Sequence, residues 1–233
     1  MPGFVWDILT RGEFGQKFSP SPSTSKPFSF NEQHMSLLPD QTPWVAPENV
    51  TIYGLGYKKN SGKDTVGEMM TKMTMLGTQE YTVSFAEALK EACIAIFDLK
   101  DEQVYTQEGK EVVDLRWGVT PRQLLQWVGT DCIRNVLHPD IWVMSVRNSI
   151  MRAAEETRFP LLVVIPDVRF PNEAEAIHSW GGKVWNIVRP HEAEENPHVS
   201  ETALDGWDEW DEVIVNDGTL EELEAKVRDL FVQ

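Results

Sequence analysis

Cysteine is scarce in this chain, with only Cys93 and Cys132 among 233 residues. That excludes a disulfide-stapled module, and neither thiol stands at a metal-ligand spacing. Both fall in helical patterns and are expected to be buried thiols of a reducing compartment. Long apolar runs are missing too. None approaches the roughly 18 residues of a membrane span, and the N-terminus has no signal-peptide core. A soluble, intracellular protein is expected. Basic residues are few: 21 Lys and Arg stand against 37 Asp and Glu, a net charge of −16. This excludes a protein that wraps a nucleic-acid backbone, which needs clustered cations. A small anion held by a local basic pocket remains compatible.

What is present points to one globular domain. Hydrophobic residues make up 41% of the chain and there are nine tryptophans, enough for a full core at this length. Residues 1–48 differ from the rest: Phe18 to Pro27 is Ser/Pro-rich without helical or strand period. Phe4, Trp6, Ile8, Phe28, Phe30 and Trp44 nevertheless make this extension too apolar to be wholly solvated, so part of it is expected to pack on the domain or on a second subunit. From residue 49 to 233 short β-prone runs alternate with helical patterns. Strands are predicted at 50–55, 81–85, 161–165, 183–188 and 212–215. Helices are predicted after Thr65, at 86–97, from Thr120-Pro121 to 136, and at 141–157, 172–180 and 220–231. Continuous apolar strands separated by helices imply an α/β fold, a parallel sheet covered on both faces.

The segment Gly56-Tyr57-Lys58-Lys59-Asn60-Ser61-Gly62-Lys63-Asp64-Thr65 lies between the first strand and the first helix. A strand, a glycine-rich turn and a helix form the setting of a phosphate-binding loop. Backbone N–H groups and the helix N-terminus would face phosphate oxygens, and Lys63 would reach the β- and γ-phosphates. Five residues separate Gly56 from Gly62, one more than the usual four. Asp64 stands where such loops place the Ser or Thr that touches Mg²⁺, with Thr65 next to it. The bland reading is a capped surface turn.

Other candidates sit where open α/β sheets place function, at the carboxyl ends of strands. Asp167, just past an apolar strand, would hold Mg²⁺ through water, or else cap a helix or pair with Arg169. Arg169 would clamp a phosphate, or else neutralise Asp167 or Glu173. Phe85 could stack on a base, although aromatics at strand ends are usually core. Lys90 and Arg122 lie in first helical turns, against the helix dipole, which hints at an anionic partner. Gln126 shares a helix face with Arg122 and Arg134 at spacings of three and four and could read a base edge. Trp142 and Arg147 are weaker candidates. The polar stretch from Arg189 and His191 to His198 and Glu201 suits a mobile lid, or else a solvated acidic loop.

Taken together, "GYKKNSGKDT", "FAEALK", "TPRQLLQWVGTD", "DVRFPNE" and "HVSE" resemble, in this order, the deoxynucleoside monophosphate kinases of tailed bacteriophages. The resemblance spans about residues 50–230. It implies a three-layer P-loop NTPase fold with a helical substrate-binding region and a lid. It implies transfer of the ATP γ-phosphate to a deoxynucleoside 5′-monophosphate, with Mg²⁺, in the cytoplasm of a host cell. On the matching positions it implies a phosphate loop at Gly62, Lys63, Asp64 and Thr65, and an acceptor pocket at Phe85, Lys90, Arg122 and Gln126. Asp167 and Arg169 match the acidic strand end, and Arg189 with His198–Glu201 the lid. A homodimer is compatible. Two other readings stay open: a P-loop kinase acting on a hydroxyl, with Asp64 or Asp167 as base, and a nucleotide-binding assembly protein without catalysis.

Overall fold

A computed structural model describes residues 44–56, 58–190 and 198–231. Five strands form one sheet in the order β2-β3-β1-β4-β5, every neighbouring pair parallel. They are β1 (Val50–Gly56), β2 (Gln79–Thr82), β3 (Leu161–Val168), β4 (Lys183–Val188) and β5 (Glu212–Val215). Alternate side chains of the central strands enter different cores, as the two-residue strand period requires. Ile52, Val163 and Ile165 face α6 (Ile141–Glu156) and α7 (Pro171–Ser179), among Val143, Val146, Ile150 and Ile177. Tyr53, Leu55, Leu162 and Val164 face α1 (Lys63–Lys72) and α8 (Leu220–Phe231), among Val66, Met70, Leu223 and Val227. The fold is therefore the expected three-layer α/β arrangement. Gly54 of β1 allows this packing to close, since a Cβ there would lie 2.5 Å from Ile177 Cδ1.

Between β2 and α6 the chain builds a helical region around Cys93, Leu99, Val104 and Leu124. It consists of α2 (Glu87–Phe97), α3 (Asp101–Tyr105), α4 (Gln107–Glu111) and α5 (Pro121–Gln126). Thr120 caps α5, its hydroxyl accepting the Gln123 N–H at 3.2 Å, with Pro121 at the first helical position. The helix predicted from 120 to 136 changes type part-way. Trp127–Leu137 is π-helical, and the wider i→i+5 turn rotates its side chains off the expected face. Arg134 engages Asn172 and Glu173, whereas Arg122 engages Gln107 and Glu111. Cys132 is exposed, correcting the expectation of two buried thiols; only Cys93 is buried.

At the other end of the domain Trp44 packs edge-on against Trp180, and the Ala46 N–H donates to the Trp180 carbonyl at 3.0 Å. The remaining apolar residues of the N-terminal extension, Phe4, Trp6, Ile8, Phe28 and Phe30, lie outside the described residues. Among those described, no helix is long and apolar enough to cross a membrane.

Candidate active site

Strand β1 connects onward to one side of the sheet and its neighbour β3 to the other, so a crevice opens beyond their carboxyl ends. Gly56 pairs with Val168 at that point, which brings the loop after β1 beside Asp167 and Arg169. Gly56 is needed for contact, since a Cβ there would meet the Trp210 ring at 2.6 Å. Left-handed backbone at Asn60 (φ 58) and Gly62 (φ 103) turns the loop into α1. No side chain caps the N-terminus of that helix, which leaves its first N–H groups for an incoming anion. Asn216, just after β5, grips the loop from the far side by donating from Nδ2 to the Ser61 carbonyl at 2.9 Å.

Lys63 is 6% exposed and curls back on its own loop, donating to the Lys58 carbonyl and, at 3.5 Å, to Ser61 Oγ. Burial pushes its ammonium down to about 8; Arg169 adds to this, and Glu201, Asp64 and Asp167 oppose it. Arg169 pairs with Glu201, and the second oxygen of Glu201 accepts the Lys59 N–H at 2.8 Å. Lys58 pairs with Asp205 at 3.0 Å. Glu201 ends a short 3-10 turn, Val199–Glu201, capped by the His198 ring, which accepts the Ser200 N–H at 3.2 Å. His198 is thus a cap. Asp64 is exposed and makes no hydrogen bond or ion pair among the described residues, and Thr65 is half-buried beside it.

Asp167 is engaged at the turn into α2, close to the capping alternative. One of its oxygens accepts the Phe85 N–H at 2.9 Å. The other accepts Ser84 Oγ at 2.6 Å and the Ala86 N–H at 2.9 Å. It pins the turn from β2 into α2, because residues beyond Thr82 leave the β ladder and their donors need an acceptor. Phe85, 4% exposed, belongs to the core. Trp142, 8% exposed, does too, with its indole N–H on the Gly129 carbonyl at 3.0 Å. Large aromatics at element ends were filled into the interior instead of lining a pocket. Arg147, on α6, has its Nε buried without a partner.

The helical region supplies a second group of cations. Arg122 is held by Glu111 at 2.5 Å and Gln107 at 2.9 Å. Lys90 is paired with Glu87 at 3.4 Å and lies over the Tyr105 ring. Gln126 is half-buried and makes no hydrogen bond among the described residues. Lys110, on α4 between the two residues that hold Arg122, had no signal in the sequence beyond being a lysine. Its ammonium has no ion pair or hydrogen bond among the described residues. Burial lowers its pKa, and so do Lys90, Arg122 and Arg169, while Asp64 opposes them. Lys90, Arg122 and Arg169 therefore lie near enough to act on the Lys110 charge. Arg189 is exposed at the carboxyl end of β4, and residues 191–197 of the expected lid, His191 included, lie outside the described residues.

A family model for deoxynucleotide monophosphate kinase matches residues 103–227. The chain belongs to that family. Among relatives of this kinase family, a protein of Acanthamoeba polyphaga mimivirus carrying the same family name is 39% identical over 191 residues, covering 76% of this chain and 94% of its own. The deoxynucleotide monophosphate kinase of Enterobacteria phage T4 is 30% identical over 56% of this chain and 58% of its own. That of Escherichia phage RB69 is 27% identical, over 76% and 73%. The matched kinase segment runs from α3 into α8. It takes in Lys110, Arg122 and Arg169, while Lys90 and the loop after β1 lie before it.

Proposed function

We propose that the protein transfers the γ-phosphoryl group of ATP to the 5′-phosphate of a deoxynucleoside monophosphate, giving the diphosphate and ADP. The observation that carries this reading is the pair of cationic walls: Lys63 and Arg169 on the sheet side, Lys90, Lys110 and Arg122 on the helical side. One wall suits a donor polyanion, the other an acceptor anion. An acceptor phosphate is an ionised nucleophile near neutral pH, so the reaction needs alignment and charge compensation and no general base. Lys63 holds the donor β- and γ-oxygens with the loop N–H groups of Lys59 to Thr65. Lys90, Lys110 and Arg122 hold the acceptor phosphate, and the unengaged amide of Gln126 meets its base. Arg169, on the sheet side, meets charge developing on the group in transit, with Arg189 at the end of β4 as a second cation for it.

Asp64 and the Thr65 hydroxyl are hard oxygen donors at the first turn of α1 and fit Mg²⁺. When bound, the ion supplies positive charge to the donor phosphates. Both oxygens of Asp167 are committed to the β2–α2 turn, so Asp64 is the metal contact of the two. The same commitment removes Asp167 as the base of the hydroxyl-acceptor reading and leaves it Asp64. Exposed Val112, Leu115 and Trp117 on the helical region support a homodimer, and cytoplasmic nucleotides are the expected substrates.

The test is ADP release from Mg·ATP against deoxynucleoside monophosphates, their ribo counterparts, deoxynucleosides and DNA. Release that depends on a deoxynucleoside monophosphate is expected. Lys63→Met should lower it by about 10²–10³ while the fold is kept. Release only with nucleosides or DNA, or none with ATP bound, overturns the reading.

A further inference from the structure

Glu201 sits on the phosphate loop in the manner of a ligand. One carboxylate oxygen takes the Lys59 backbone N–H at 2.8 Å, and the other takes the Arg169 guanidinium. The side chain is 15% exposed. These two donors come from opposite lips of the crevice, the loop after β1 and the turn after β3. A loop N–H and a neighbouring guanidinium are what a phosphoryl group binds, and a carboxylate presents the same charge sign and a similar pair of oxygens. Lys63 feels the same carboxylate.

We propose that Glu201 is an internal stand-in for a donor phosphate: it fills an anion subsite between Lys59 and Arg169 and must leave when the nucleotide binds. Two physical facts make both occupants at once untenable. The Lys59 backbone has a single N–H, already given to Glu201, and a carboxylate left against a polyphosphate in a half-buried crevice is repelled strongly. Binding therefore exchanges one anion for another. Glu201 then acts as a competitor within the chain, lowering donor affinity while keeping the loop and Arg169 in place between turnovers. This rests on the phosphate-loop reading and is independent of which acceptor is used.

The full chain is titrated calorimetrically with ADP and with inorganic pyrophosphate, as wild type, Glu201→Gln and Glu201→Asp. Glu224→Gln, an acid of α8 paired with Arg228, controls for net charge. Removing a contact to a charged group predicts binding about tenfold tighter in Glu201→Gln, with the control within about twofold. Glu201→Asp, too short to keep both contacts, should also bind tighter, so the idea remains testable if one variant does not fold. Without nucleotide the Gln variant should melt below wild type, and saturating ADP should erase that difference. Equal or weaker binding in both variants, or a melting gap that persists under ADP, overturns the proposal. Tighter binding without any acceptor-dependent ADP release leaves the stand-in intact and removes the kinase. Normal kinase activity with weaker binding does the reverse, and no binding by any form removes both.

Discussion

At the scale of single residues, Lys63 carries a proton-linked signal. Its pKa falls from 10.5 to about 8 because burial disfavours the charge. Below pH 8 the ammonium is charged in folded and unfolded chains alike, and folding bears the penalty. Between pH 8 and 10.5 the unfolded chain binds more protons, so stability rises with pH there. A bound polyphosphate favours the charged form and pushes the pKa back up, while the nucleotide phosphates are already ionised at pH 8. ADP binding should therefore take up a fraction of a proton near pH 8 and almost none at pH 6.5. Titrations in buffers of different ionisation enthalpy read this directly, and Lys63→Met should lose the uptake. Lys110 makes a prediction of opposite sign for stability and activity. Three like charges press on it, so Lys110→Met should raise the melting temperature. The same change should raise KM for the acceptor about tenfold or more, with KM for ATP unmoved.

Among elements, the turn from β3 into α7 is held by a buried pair. Glu173, 2% exposed, meets Arg134 at 2.5 Å and accepts the N–H groups of Arg169 at 2.8 Å and Phe170 at 3.1 Å. Arg134 also lies over the Phe170 ring. Burial pushes the Glu173 carboxyl up, to about 7, against the pull of Arg134. Glu173→Ala strands a buried guanidinium and frees the turn that aims Arg169. It should cost about 3–5 kcal/mol, read from the urea midpoint, and Glu173→Gln should cost less. None of this pairing was legible in the sequence, because the partners lie 39 positions apart. Strands 183–188 and 212–215 and the helix 220–231 were legible to the residue. Their apolar runs and turn signals are local. The short helices α3 and α4 offered too few residues for a period to register, and the change from α to π after Gln126 leaves the apolar spacing unaltered. In the site, the strand–turn–helix setting of residues 56–65 was readable because it is written in ten consecutive residues. Lys110 matters only through what converges on it from other elements, and Phe85 and Trp142 look the same in sequence whether they face a base or a core.

For the molecule as a whole, a net charge of −16 surrounds a cationic crevice. Salt acts on these two fields in opposite directions. Raising NaCl from about 20 to about 300 mM screens repulsion among the surface acids and should raise the melting temperature. The same salt competes with nucleotide phosphates, so KM for ATP should rise. A melting temperature that falls with salt would mean that favourable ion pairs, such as Lys58–Asp205 and Lys226–Asp217, outweigh the repulsion.

The grip of Asn216 on the Ser61 carbonyl spans 155 positions and ties the phosphate loop to the edge strand β5, the last strand in the chain. During synthesis the loop emerges early, yet its partner follows only after all the other strands have been made. A ribosome-bound chain halted before residue 212 would present Lys63 and Gly62 on a loop that lacks the Asn216 contact. A nucleotide that prefers the gripped loop would thus reward the finished sheet more than any earlier stage of folding.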